Sequence, residues 1–211
     1  VNPVFSNCSV SGNDTISGQN YTGGFAGETI GAVMTGCSVN GTESVNGTDY
    51  SGGFIGRASN AVVAGALDHL GIQIADFPVN TVMLGCSING SANVSATGSS
   101  GKESGYAGGF IGEMRNSYAV NCSISSLGTV SGKDYTGGFA GLATLGAVTS
   151  IDENKGLLDL VKKLLTGLLN GNITDMDILN LVGLRPSVIS GCTIDGSTIS
   201  LDASGKYAGG L

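Results

Sequence analysis

Five peptides in this chain are versions of one another: Tyr21-Thr-Gly-Gly-Phe25-Ala-Gly27, Tyr50-Ser-Gly-Gly-Phe54-Ile-Gly56, Tyr106-Ala-Gly-Gly-Phe110-Ile-Gly112, Tyr135-Thr-Gly-Gly-Phe139-Ala-Gly141 and Tyr207-Ala-Gly-Gly-Leu211, where the chain ends. A cysteine precedes each copy in a matching context: Asn7-Cys8-Ser-Val10, Gly36-Cys37-Ser-Val39, Gly85-Cys86-Ser-Ile88, Asn121-Cys122-Ser-Ile124 and Gly191-Cys192-Thr-Ile194. Cysteine and tyrosine stand 13 residues apart in copies one, two and four, 20 in the third and 15 in the fifth, and the basic unit is 29 residues, as from Cys8 to Cys37. A unit this small cannot bury an apolar face alone, so successive units must stack.

Apolar positions alternate within each unit as strands require. Val4, Val33, Val82, Tyr118 and Val188 stand four residues before Cys; Val10, Val39, Ile88, Ile124 and Ile194 stand two after it, and all are expected to share one face with Cys. Ile16, Val45, Val94 and Val130 follow eight residues after Cys, with Ile199 one place off, and Phe25, Phe54 and Phe139 come at seventeen, with Phe110 at 24 in the longer third copy. Each unit should thus hold three short strands separated by Ser, Gly, Asn and Asp turns. Parallel in-register stacking at about 4.8 Å per unit yields ladders of Cys8, Cys37, Cys86, Cys122 and Cys192, of Phe25, Phe54, Phe110 and Phe139, and of Tyr21, Tyr50, Tyr106, Tyr135 and Tyr207. The fold expected is all-β: a right-handed parallel β-helix (β-solenoid) of about five coils over residues 1–211. A β-sandwich also has short strands at regular spacing, but it does not require one residue type at one register in five successive units. The 37 glycines, a load that could signal disorder, are then used at corners needing positive φ and where backbones pack closely.

Two insertions leave the repeat between the closing Gly of the motif and the next Cys, at 57–80 and 142–186. In the longer, Leu157, Leu160, Val161, Leu164 and Leu168 belong to an i, i+3, i+4, i+7 stripe, which predicts a helix ending at Asn170-Gly171. A second helix should start at Thr174, and together they form a small helical lobe that covers the solenoid flank or contacts a partner.

Nine Lys plus Arg against sixteen Asp plus Glu leave a net charge of -7, and the few basic residues are scattered. Nucleic acid and anionic membranes are therefore not expected partners, and the most apolar stretch, Gly156 to Asn170, is broken by Asp159, Lys162 and Lys163, so no membrane insertion is expected. The Val at position 1 suggests an excised or processed segment. The cysteines contain no Cys-x-x-Cys pair and the sole histidine, His69, lies in an insertion, so free thiols fit better than a metal site or disulfides. No cofactor is expected; calcium is the one cation that Asp14 with Glu43, and Asp49 with Asn20, at equivalent positions of adjacent coils, could hold. Asp14, Glu43, Asp49, Asp134 and Asp195 read otherwise as solvated corners, and with Arg only at 57, 115 and 185 no catalytic constellation emerges, so the chain is not expected to be an enzyme. Asn-x-Ser/Thr triplets start at Asn7, Asn13, Asn20, Asn40, Asn46, Asn89, Asn93, Asn121 and Asn172, most of them products of composition.

The recurring Tyr-x-Gly-Gly-Phe-x-Gly with an Asn/Gly-Cys-Ser/Thr-Val/Ile strand between copies resembles the GLUG-type repeats of large bacterial surface proteins. The resemblance implies an extracellular, adhesin-like protein at the cell surface, anchored to the cell wall through regions outside this chain, with the solenoid as stalk or binding module for a host or cell-surface ligand, protein or glycan. It transfers no catalytic residues. Two other readings stand beside it: a carbohydrate-active β-helix (lyase or hydrolase), and a filament unit assembling end to end through unpaired strand edges.

Overall fold

The computed structural model describes residues 3–12, 15–41, 43–63, 77–101, 103–144, 187–196 and 199–210. These residues are all-β, and four sheets collect the same segment from successive repeat units. The first takes the strands ahead of the cysteines, Val4–Ser6, Val33–Thr35, Val82–Leu84, Tyr118–Val120 and Val188–Ser190, in that spatial order. The second takes the segments after them: Ser9–Ser11, Ser38–Asn40, Ser87–Ala96, Ser123–Gly132 and Thr193–Ile194, extended by Thr15–Ser17, Glu43–Gly47 and Ser200–Ala203. The third is the tyrosine sheet, Tyr21–Gly23, Tyr50–Gly52, Tyr106–Gly108, Tyr135–Gly137 and Tyr207–Gly209. All pairing in these sheets is parallel and sets equivalent residues side by side, as in Val10, Val39, Ile88, Ile124 and Ile194. The parallel, in-register stack expected from the repeat is therefore present.

The fourth sheet, Ala26–Ile30, Ile55–Ser59, Ile111–Arg115 and Ala140–Thr144, has no counterpart in the three strands expected per unit. Its segments share no apolar alternation: Gly stands at the second position, and the third is Glu28, Arg57, Glu113 or Leu142. Neighbouring strands create this one by pairing, because five residues of mixed polarity carry no period of their own. The sheet also moves the start of both insertions, since Arg57 to Ser59 and Leu142 to Thr144 remain inside it. The first excursion leaves as an antiparallel ribbon, Ala61–Val63 against Phe77–Val79. The helical lobe expected over 142–186, with Leu157, Leu160, Val161, Leu164 and Leu168, lies outside the described residues beyond Thr144, as do His69, Asp14 and Leu211.

One expectation about facing is overturned. Val4, Val33, Val82, Tyr118 and Val188 do not share the cysteine face: Val4 is 69% exposed, and the residues that turn inward stand three before Cys, Phe5, Met34, Met83, Ala119 and Ile189. The cause is the residue immediately before each cysteine. Asn7, Gly36, Gly85, Asn121 and Gly191 all adopt a left-handed backbone, with φ between 52° and 62°. A strand alternates faces only while its backbone stays extended, so a left-handed residue resets the count. Ile199 likewise stays outside at 41% exposed, while Leu201 takes the register of Val130.

Left-handed backbone is costly for residues other than Gly and Asn. A Cβ on Gly85 would meet nothing within 4 Å, so conformation alone decides what that corner accepts. Gly85→Val is expected to lose about 1–2 kcal/mol of stability, and Gly85→Asn, the residue that fills the corner at 7 and 121, to lose far less. Urea unfolding of the two variants measures this, and equal losses would refute it.

The interior is filled by the ladders. Phe25, Phe54, Phe110 and Phe139 stack with ring centroids 4.8 Å apart at each step, and Phe5 closes the end edge-on at 5.8 Å. At this corner two successive N–H groups converge on one carbonyl of the next unit, as Phe54 N and Ile55 N both donate to Phe110 O at 2.9 and 3.0 Å. The last three Phe rings of the ladder are fully buried, together with Met34, Met83, Ile88 and Ile124.

Candidate functional site

The five repeat tyrosines form one continuous stack across all five units, with centroid spacings of 5.3, 4.9, 4.9 and 5.0 Å from Tyr21 to Tyr207. The inner ring faces are spent on one another; at one end the Arg57 guanidinium lies 5.1 Å from the centre of the Tyr21 ring, and at the other Tyr207 is 59% exposed. Burial, then the neighbouring Tyr50 phenol, pushes the Tyr106 hydroxyl up to about 12, and burial followed by the Glu113 carboxylate raises Tyr50. The folded state thus favours neutral Tyr106 over its ordinary value near 10. Stability from this source is intact below about pH 10 and is lost as pH rises toward 12, a loss of about 2–3 kcal/mol in all. Denaturant unfolding across that alkaline window should show the decline, and Tyr106→Phe should flatten it. An unchanged slope in the variant would refute the assignment.

Beside the tyrosines the fourth sheet carries an alternating ion ladder. Glu28, Arg57 and Glu113 are register partners. Arg57 Nη1 lies 3.5 Å from Glu28 Oε1 and donates to the Tyr21 hydroxyl at 2.5 Å, while its Nε stands 3.4 Å from Glu113 Oε2. Arg115 Nε and Nη2 approach Glu113 Oε1 at 2.7 and 2.6 Å. Glu113 is 1% exposed, so a carboxylate is held in the protein by two guanidinium groups. Leu142 takes the register in the next unit and the ladder stops there. The arginines that look scattered in sequence are brought together, because the first insertion makes residues 56 apart into neighbours.

Asp49 and Asp134, read from sequence as solvated corners, are 8% and 6% exposed. The third unit's longer cysteine-to-tyrosine segment explains this. Ser99 Oγ donates to Asp49 Oδ1 at 2.7 Å and Ser104 N to Asp134 Oδ2 at 2.9 Å, while Lys133 Nζ donates to Ser99 O at 2.7 Å. The added residues fold over both carboxylates and satisfy them. Of the pairs considered for calcium, Asp14 lies outside the described residues, and among those residues no group of three or more His, Cys, Asp or Glu side chains is arranged to hold a metal ion.

All five cysteines are free thiols, with Cys37, Cys86 and Cys122 buried, Cys192 half-buried and Cys8 exposed at the end of the stack. Their S–H groups tie units together. Cys37 Sγ reaches Thr35 O in its own unit and Phe5 O in the preceding one at 3.6 and 3.5 Å, and Cys122 repeats this with Val120 and Met83 at 3.6 Å. Burial raises the Cys37 thiol, and hydrogen bonding to Cys86, reinforced by burial, raises Cys122. In the same pair, hydrogen bonding to Cys122 outweighs burial and lowers the Cys86 thiol to about 7, so the two neighbouring thiols are not equivalent.

The outer side of the second sheet has a different character. The serine that follows each cysteine forms a row in register, Ser9, Ser38, Ser87 and Ser123, continued by Thr193. Two residues on, Ser11, Asn40 and Asn89 form a second row, in which Asn89 Nδ2 donates to Asn40 Oδ1 at 3.0 Å and Asn40 Nδ2 to Ser38 Oγ at 3.2 Å. The sequence places the Ser/Thr of this row in the strand around each cysteine, and its recurrence after every Cys is the signal for the row.

These features define a stacked-repeat β protein with one aromatic edge, one internal ion ladder and one polar face. Compared with known proteins, the chain matches no family, no curated protein and no solved structure.

Proposed function

We propose that the stacked sheets close as a right-handed parallel β-helix of about five coils, and that the chain is a structural and adhesive segment of a GLUG-type bacterial surface protein. In this reading the coils are a rigid extracellular stalk, anchored to the cell wall through other parts of the protein, and also a binding module for a cell-surface ligand. The observation that supports it is the register: the tyrosine and phenylalanine ladders run through successive units, and the valine/isoleucine rungs stay paired on either side of local shifts between Ile88 and Ser91 and between Ala92 and Val94. Identical side chains stacked in register, with backbone hydrogen bonds from each unit to the next, resist bending and leave little to reorganise on contact. Among the described residues the buried carboxylates Glu113, Asp134 and Asp49 are each paired within the stack.

Antibody labelling of intact producing cells tests location. Labelling before permeabilisation is expected, and labelling only afterwards would overturn the surface reading. Deleting 61–80 and 151–184 from the same chain tests the contact site: binding lost with the stack still folded places it on the insertions, and unchanged binding places it on the sheets.

A further inference from the structure

The five thiols stand in one file and all point the same way. Each S–H donates to the carbonyl two residues before it, those of Ser6, Thr35, Leu84, Val120 and Ser190 in turn, at 3.5–3.7 Å. The Ser or Thr that follows each cysteine pairs in register with its counterpart in the next unit. Side chains of equal orientation on equal registers repeat by one strand spacing, so successive sulfurs are about 4.8 Å apart.

That spacing decides what the file can hold. A disulfide needs its two sulfurs about 2.05 Å apart. A structural zinc ion needs four donors around one point, and among the described residues no group of three or more His, Cys, Asp or Glu is arranged to hold a metal ion. Two metal–thiolate bonds of about 2.3 Å laid end to end span about 4.6 Å, so an ion that takes two sulfurs in a line fits between successive units with almost no movement of either strand. Softness narrows the choice further. Thiolate and thioether sulfur favour cuprous copper over harder ions, and Met34 and Met83, three residues before Cys37 and Cys86, are fully buried in the same core.

We infer that the buried run Cys37, Cys86 and Cys122 is a binding site for a soft, two-coordinate cation, cuprous copper, held in line between the sulfurs of successive units. These three are at most 1% exposed, whereas Cys8 is exposed and Cys192 half-buried, so water competes least for the ion in the run. On binding, two S–H bonds break, two metal–sulfur bonds form and two protons leave to solvent; no electron is transferred. The ion then cross-links neighbouring units that backbone hydrogen bonds already hold in register. The site does not depend on the chain lying at a cell surface.

The test is anaerobic titration of the whole reduced chain with cuprous ion in competition with bicinchoninate, followed by X-ray absorption at the copper edge. The chain is expected to withdraw copper from the chelator and to bind it through two sulfurs at a single distance, with a rise in melting temperature, because an ion that binds only the folded chain stabilises it. Two double variants each keep three thiols but differ in adjacency. Cys37→Ala with Cys122→Ala leaves no two successive cysteines and should weaken uptake at least tenfold, while Cys8→Ala with Cys192→Ala keeps the buried run and should bind like the parent. Circular dichroism establishes folding; if the first variant does not fold, the copper edge of the parent decides. No withdrawal of copper, equal uptake by the two variants, copper bound by nitrogen or oxygen, or zinc held as tightly as copper would each overturn the inference.

Discussion

Gly108→Ala is expected to destabilise the protein by about 3 kcal/mol or more, because the added methyl would overlap backbone. A Cβ built on Gly108 would lie 1.9 Å from Ile111 O and 2.6 Å from Gly141 N, both backbone atoms that no rotamer change can move. Left-handed conformation plays no part, because Gly108 does not have a positive φ. The exclusion is one of space: the chain turns back on itself at Gly-Gly-Phe, and the fourth sheet passes over the tyrosine sheet at backbone distance. The same first glycine meets Ala26 O at 2.2 Å from Gly23, Ile55 O at 2.0 Å from Gly52 and Ala140 O at 1.9 Å from Gly137. Gly210→Ala is the control, since a Cβ there meets nothing within 4 Å. Urea unfolding of the pair should separate them by the full amount, and a Gly108→Ala loss under 1 kcal/mol would show that the two sheets can part without cost.

Glu113→Ala should cost about 2–4 kcal/mol, because it leaves Arg57 and Arg115 facing each other with the buried carboxylate gone. The figure is set below that for a fully enclosed pair because Arg57 and Arg115 are 21% and 33% exposed and water screens them in part. The molecule also supplies the rescue. One unit further along, Leu142 and Thr144 stand in the registers of Glu113 and Arg115. Glu113→Leu combined with Arg57→Leu and Arg115→Thr should therefore recover most of the loss, since apolar packing can replace a buried ion cluster. Denaturant unfolding of the single and triple variants measures both. A single variant as stable as the parent would show that Glu113 contributes little, and a triple variant as unstable as the single one would show that the ladder is needed to hold the register between units.

Much of this architecture was legible because it is local and repeated. Tyr-x-Gly-Gly-Phe-x-Gly and Asn/Gly-Cys-Ser/Thr recur in register, and a short unit repeated in register has few ways to bury its apolar side except by stacking on itself. The cysteine, phenylalanine and tyrosine ladders follow from that alone. The facing of the strand ahead of Cys was misread from alternation, yet its cause was in view: Asn and Gly alternate at one position, and these are the two residues that tolerate left-handed backbone.

Other features had no local signal. The fourth sheet consists of peptides such as Ala-Gly-Glu-Thr-Ile and Ile-Gly-Arg-Ala-Ser, which become strands because the units on either side hold them in register. The buried state of Asp49 and Asp134 depends on Ser99 and Ser104, supplied by a longer segment present in one unit. Arg57 meets Glu113 across 56 positions of sequence because an insertion of particular length separates two units that then stack. A repeat sets which residues share a rung, since spacing within a unit is covalent. Which unlike residues end up touching across rungs is set by how the chain returns after each excursion, and that is a property of the folded stack.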